Sequence, residues 1–220
     1  MKQEIMYDLF KRYKQKGIEQ VNLLSTEHPL MYPESITECF RIFDDMQDVI
    51  PVAVIVGQDP YPQKGVATGI AFANHKREGV WADKPLSPSL KVIKESVLQL
   101  GQGRMFDETL MFWVKQGIMP INMAWTVVPE RPGELTYAWA RFTSKFLSEL
   151  SSIKHDICYV LLGGYAQALK GFIKSGVILS DYHPSYYART EIPMSPRVWE
   201  RMISEVKSMT GKELRLSYEE

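Results

Sequence analysis

The chain has 220 residues, 45% of them apolar, with 26 Lys plus Arg balanced by 26 Asp plus Glu. That is enough chain for one domain with a substantial core, and a zero formal charge gives no whole-chain signature of nucleic-acid binding, although a local basic face remains open. Two cysteines, Cys39 and Cys158, exclude a disulfide framework and a four-cysteine metal or iron–sulfur site, and their apolar surroundings read as core thiols of a reducing compartment.

The N-terminal segment is too polar for a signal peptide, and no apolar run is long enough to span a membrane. Residues 2–16 place Ile5, Met6, Leu9, Phe10 and Tyr13 at helical spacing. A second helix is predicted over 35–46, with Ser35 as its cap and Ile36, Cys39, Phe40 and Phe43 on one face. The first strand is predicted at 52–57, followed by a long loop rich in Gly and Lys to about residue 87. Ser87-Pro88-Ser89 opens a helix to about 100, with Pro88 near its first position. A short helix over 107–116 stops at Gly117, and a strand follows over 118–122. Residues 127–135 hold two prolines and a glycine and read as a loop; 137–151 return to helical spacing. Residues 157–162 form a third strand closed by Gly163-Gly164, 165–174 a helix, 177–180 a fourth strand, and 196–209 a last helix.

Strands alternating with helices imply an α/β fold: a single domain spanning 1–220, with a central four-stranded parallel twisted sheet and helices on both faces. Ligands in such folds bind outside the carboxyl ends of the strands. Asp59, Asn122, Gly163-Gly164 and His183 all fall there. Each also has a plain structural reading. An Asp after a strand serves Asx-turns and helix caps, Asn122 reads equally as a satisfied core amide, His183 before Pro184 as a structural histidine, and the Gly pair as a turn.

Further residues give these four a common context. Gly57-Gln58-Asp59-Pro60-Tyr61, Gly69-Ile70-Ala71-Phe72, Pro88-Ser89-Leu90, Trp113-Val114-Lys115-Gln116-Gly117 followed by Asn122, Leu161-Leu162-Gly163-Gly164 and His183-Pro184-Ser185 occur in this order between about residues 50 and 190. This series resembles family 1 uracil-DNA glycosylases, with divergence. The resemblance implies an enzyme that flips uracil out of DNA and hydrolyses its N-glycosidic bond in base excision repair, leaving an abasic site. It assigns Asp59 and His183 to catalysis: Asp59 to the sugar cation and the attacking water, His183 to the developing charge on uracil O2. Gln58, Tyr61, Phe72 and Asn122 are implied to bind uracil: Phe72 by stacking, Asn122 by pairing with O4 and N3–H, Tyr61 by crowding a C5 methyl. Gln58 is also expected to help hold phosphate. Pro88, Ser89, Gly163, Gly164, Pro184, Ser185, Tyr187 and Arg189 are implied to contact DNA.

The resemblance implies no cofactor and no metal. Its implied partners are single- or double-stranded uracil DNA and a proteinaceous inhibitor or replication partner, with no membrane. It further implies a monomer, cytoplasmic or, in a eukaryotic or viral setting, in the nucleus or host cytoplasm. Three features depart from the family pattern: Pro62 stands where His is usual, Tyr187 where the DNA-intercalating Leu is usual, and the loop after Leu162 is short and lacks its serine. Residues 129–134 also make a longer segment than the pattern has. The alternative is a weak or inactive member serving as a DNA-binding accessory or processivity factor. A changed preference for a 5-substituted uracil is a third reading, opposed by the retained Tyr61. Mismatch-type relatives are set aside because they carry Asn at the place of Asp59.

Overall fold

A computed structural model describes residues 2–74 and 86–219. Four strands, β1 (Ala53–Gly57), β2 (Ile118–Asn122), β3 (Cys158–Leu162) and β4 (Val177–Asp181), form one sheet in the order β2-β1-β3-β4. Every neighbouring pair is parallel. All five residues of β1 and of β3 are buried, although successive side chains point to opposite faces. The sheet is therefore covered on both sides, which is why these strands read as continuous apolar runs rather than alternating ones. Pro120 lies inside β2, where it is tolerated because β2 is an edge strand.

The helices are α1 (Lys2–Leu24), α2 (Ile36–Cys39), α3 (Arg41–Asp45), α4 (Pro88–Leu98), α5 (Met111–Val114), α6 (Thr136–Ile153), α7 (Gly164–Gln167), α8 (Pro184–Thr190) and α9 (Arg197–Thr210). A 3-10 turn spans Lys170–Phe172. Helix α9 packs on β3 and β4, α5 on β2, and α4 against α8.

Several boundaries differ from those expected, for local reasons. Helix α1 runs past Gly17 to Leu24; the glycine is there for packing rather than as a stop, since a Cβ would fall 2.3 Å from the Phe40 ring. The expected helix over 35–46 is interrupted at Phe40, whose φ of −116° is not helical, and Ser35 makes no side-chain cap. Residues before α5 are not helical. The Asp107 carboxylate accepts from the Thr109 and Phe112 N–H groups at 2.9 and 2.8 Å, an Asx-turn that competes with the helix. The predicted helix over 165–174 divides into α7 and the 3-10 turn. Helix α8 occupies a segment, between the fourth strand and the last helix, for which no element is predicted. Part of the predicted 58–87 loop, residues 75–85, lies outside the described residues.

The core is rich in aromatics. Phe43 and Phe40 stack on Trp125 with centroids 5.0 and 5.4 Å apart. Four tryptophans bury their rings and still satisfy their indole N–H groups: Trp113 on Leu216 O, Trp125 on Thr143 Oγ1, Trp139 on Thr126 Oγ1 and Trp199 on Ser96 Oγ, all at 2.9–3.0 Å.

Candidate active site

The carboxyl ends of all four strands open on one side, as parallel pairing requires. The turn after β1 carries Gln58 and Asp59, and β2 ends at Asn122. The turn after β3 begins at Gly163, and β4 is followed by Tyr182 and His183. A cavity of about 270 Å³ lies at this edge. Gln58, Asp59, Tyr61, Phe72, Ser89, Asn122, His183, Ser185 and Arg189 all line it, together with Pro62. Residues far apart in sequence are thus brought to one space by the sheet.

Asn122 stands directly across from Gly57 in the β1–β2 ladder. A Cβ on Gly57 would lie 2.6 Å from Asn122 Oδ1 and 2.7 Å from the Phe72 ring. Gly57 therefore leaves the space in which the amide and the ring stand side by side. Phe72 itself has φ of +68°, a left-handed conformation that costs a non-glycine residue about 1–3 kcal/mol. Its carbonyl accepts from the Tyr61 hydroxyl at 2.8 Å, which fixes Tyr61 against the same segment. Burial raises the Tyr61 pKa, so the phenol stays neutral.

Asp59 accepts from the Gly133 N–H through Oδ2 at 2.5 Å. Burial raises its pKa, while the Gly133 N–H and the Gln58 side chain pull it back toward the ionised form. Pro62 lines the cavity where the family pattern has an imidazole.

His183 is the N-cap of α8. Its Nδ1 accepts from the Ser185 N–H at 3.2 Å and lies 2.9 Å from Ser185 Oγ. A backbone N–H can only donate, so Nδ1 is the acceptor and the neutral ring carries its proton on Nε2. Burial, reinforced by the Arg189 charge, lowers the His183 pKa to about 4. The ring lies 5.7 Å from Phe72, centroid to centroid. Gly163 lies beneath it at φ of +89°, where a Cβ would be 2.8 Å from His183 Cβ. Gly164 faces open space.

A neutral imidazole donor, a carboxylate held by a backbone N–H, a carboxamide and an aromatic face meet in this one cavity. A family model described as the uracil DNA glycosylase superfamily matches residues 45–207. The chain belongs to that superfamily.

Curated relatives in the superfamily include the uracil-DNA glycosylase of Azobacteroides pseudotrichonymphae, 32% identical over 163 residues that cover 72% of this chain and 71% of that one. The uracil-DNA glycosylase of Flavobacterium johnsoniae is 30% identical over 173 residues, covering 76% and 75%. In fold, the chain superposes on the crystal structure of mimivirus uracil-DNA glycosylase with a TM-score of 0.75 at 20% identity, covering 99% of this chain and 89% of that one. A mimivirus UNG variant solved in complex with UGI superposes equally well, with a TM-score of 0.75 at 21% identity over 97% of this chain and 87% of that one.

Not every residue assigned through the superfamily pattern faces the cavity. Pro88 and Tyr187 line a separate groove between α4 and α8. Pro184 is buried as the first residue of α8. Tyr187 does not project as a wedge: its hydroxyl donates to Asp181 Oδ1 at 2.5 Å and its ring packs against the core. The exposed aromatic of that segment is Tyr182. Gly133, the backbone partner of Asp59, was not among the expected site residues. The unusual length of 129–134 was its one trace in the sequence. Among the described residues there is no cluster of three or more His, Cys, Asp or Glu able to hold a metal ion, and no helix long and apolar enough to cross a membrane.

Proposed function

We propose that the chain is a monofunctional uracil-DNA glycosylase acting in base excision repair. The observation that carries this reading is the convergence of Asp59, Phe72, Asn122 and His183 on one cavity, with the His183 proton held on Nε2. Uracil leaves the base stack to enter the cavity. Phe72 stacks on the ring, and the Asn122 amide pairs with O4 and N3–H, a pattern that cytosine reverses. Tyr61, tied to the Phe72 carbonyl, crowds a C5 methyl.

As the bond between C1′ and N1 breaks, its electron pair goes to uracil and positive charge develops on the sugar. The His183 Nε2–H donates to uracil O2, where the negative charge collects. This role suits a ring that remains neutral, since no proton has to be moved first. The Asp59 carboxylate, oriented by Gly133, stabilises the sugar cation and positions the water whose oxygen bonds to C1′; the proton that this water gives up ends on the uracil anion, which leaves as free uracil. Ser89, Ser185 and Arg189 line the cavity and act on the phosphates, Arg189 supplying the positive charge, and the open Gly164 lets a phosphate approach the backbone of the turn after β3.

The substrate in this reading is uracil-containing DNA, single- or double-stranded, and the working unit is a monomer. A protein partner, of the kind UGI is for mimivirus UNG, belongs to the same proposal. The free, buried thiols of Cys39 and Cys158 support a reducing compartment such as the cytoplasm.

The test is incubation of the purified chain with oligonucleotides carrying uracil, thymine or cytosine at one position, followed by detection of free base and of alkali-labile abasic sites. Release of uracil alone is expected. No release from any strand would leave a DNA-binding accessory role in its place.

A further inference from the structure

Tyr182 sits between β4 and the site histidine and belongs to neither the cavity lining nor the core. Its ring stacks on Tyr186 with centroids 4.6 Å apart and planes 23° apart, and the residue remains 62% exposed. The stack is held from below. Asp181 Oδ1 accepts both the Tyr182 N–H, at 2.7 Å, and the Tyr187 hydroxyl, and the Tyr187 ring meets Tyr186 edge-on at 5.5 Å. One carboxylate thus fixes the backbone under Tyr182 and the ring that braces Tyr186. A large, fixed aromatic face is left in water one residue from His183.

We propose that Tyr182, backed by Tyr186, is a stacking platform for the nucleobase next to the flipped uridine, and that it makes unpaired strands the preferred substrate. The inference rests on the glycosylase reading above and adds a specificity determinant to it. An unpaired base offers a free π face, and stacking on an aromatic side chain tolerates any sequence. A base in a duplex has both faces covered and must first be unstacked. The side chain that would open a duplex as a wedge, Tyr187, is turned inward onto Asp181, so this segment presents a flat surface rather than a protruding one.

The experiment compares kcat/KM on a single-stranded and a double-stranded uracil oligonucleotide for the wild type, Tyr182→Ala and Tyr182→Trp. Affinity for a single strand lacking uracil is measured alongside by fluorescence anisotropy. In Tyr182→Ala the single-strand to double-strand ratio falls about tenfold and the anisotropy affinity weakens by a similar factor, as expected for the loss of one base–aromatic stack. Tyr182→Trp restores both. An unchanged ratio in Tyr182→Ala, or a Trp variant as poor as the Ala variant, would overturn the platform. If the wild type releases no uracil from either strand, the glycosylase reading fails instead. The platform is then judged by the anisotropy alone, where an unchanged affinity of Tyr182→Ala rejects it.

Discussion

At the scale of single residues, the site separates two titrating groups by environment. Burial moves both toward their neutral forms: Asp59 upward and His183 downward to about 4. In the proposed mechanism Asp59 works ionised and His183 works neutral. Uracil release should therefore fall as pH drops through the Asp59 pKa, giving one acid limb above the ordinary carboxylate range. His183 remains uncharged from neutral pH down to near its lowered pKa, so no limb should appear near the usual imidazole value. A pH–rate profile of kcat/KM checks this; a limb near 6.5 that disappears in His183→Gln would contradict the tautomer argument. Asp59, Asn122 and His183 were legible in sequence because Asn122 ends β2 and the other two follow the ends of β1 and β4 by two residues, where position alone puts a polar side chain at the ligand edge. Gly133 was not, because its bond to Asp59 joins positions 74 residues apart and uses a backbone N–H that any residue but proline would offer.

At the scale of elements, the strands were the most legible part, since short apolar runs ended by Gly, Asn or Asp mark parallel strands within a residue or so. The helices were less so. Phe40 breaks one by its backbone conformation, and Asp107 delays another by competing for its N–H groups. Helix α8 carried start signals, Pro184 at its first turn and a capping side chain before it, but at seven residues it is too short for an apolar periodicity to mark it. This junction concentrates the site's precision. Gly163 holds φ of +89° in contact with His183, so Gly163→Ala should strain the turn after β3 and push the β4–α8 junction outward. A loss of about 1–3 kcal/mol is expected in thermal or urea unfolding. Uracil release should fall further than the folded fraction accounts for, because His183 moves. Full activity in the folded variant would mean that the contact does not position the histidine.

At the scale of the molecule, the superfamily match spans residues 45–207, yet the core extends beyond it at both ends. Met6, Leu9, Phe10 and Tyr13 from α1 are buried on one side of that span, and Leu214 and Leu216 on the other. The C-terminal segment is tied in by the Trp113 indole on Leu216 O and by Gln102 Oε1 accepting the Leu216 N–H. Leu216→Ala removes a fully buried side chain and should cost about 2–5 kcal/mol in denaturant unfolding. Uracil release by the folded protein should stay intact, because no part of the site rests on that residue. A stability change well under this range would show that the tail is an accessory to the core rather than part of it.

These scales meet in the claim that one carboxylate, delivered by the end of β1 and held by Gly133, drives hydrolysis in a pocket that other residues build for binding. The direct measurement is single-turnover uracil release by Asp59→Asn beside the wild type, on the same single-stranded oligonucleotide and with DNA affinity determined for both. A rate lower by about 10²–10⁴-fold with affinity retained is expected. Equal rates, or a loss of rate explained entirely by lost affinity, would contradict the claim.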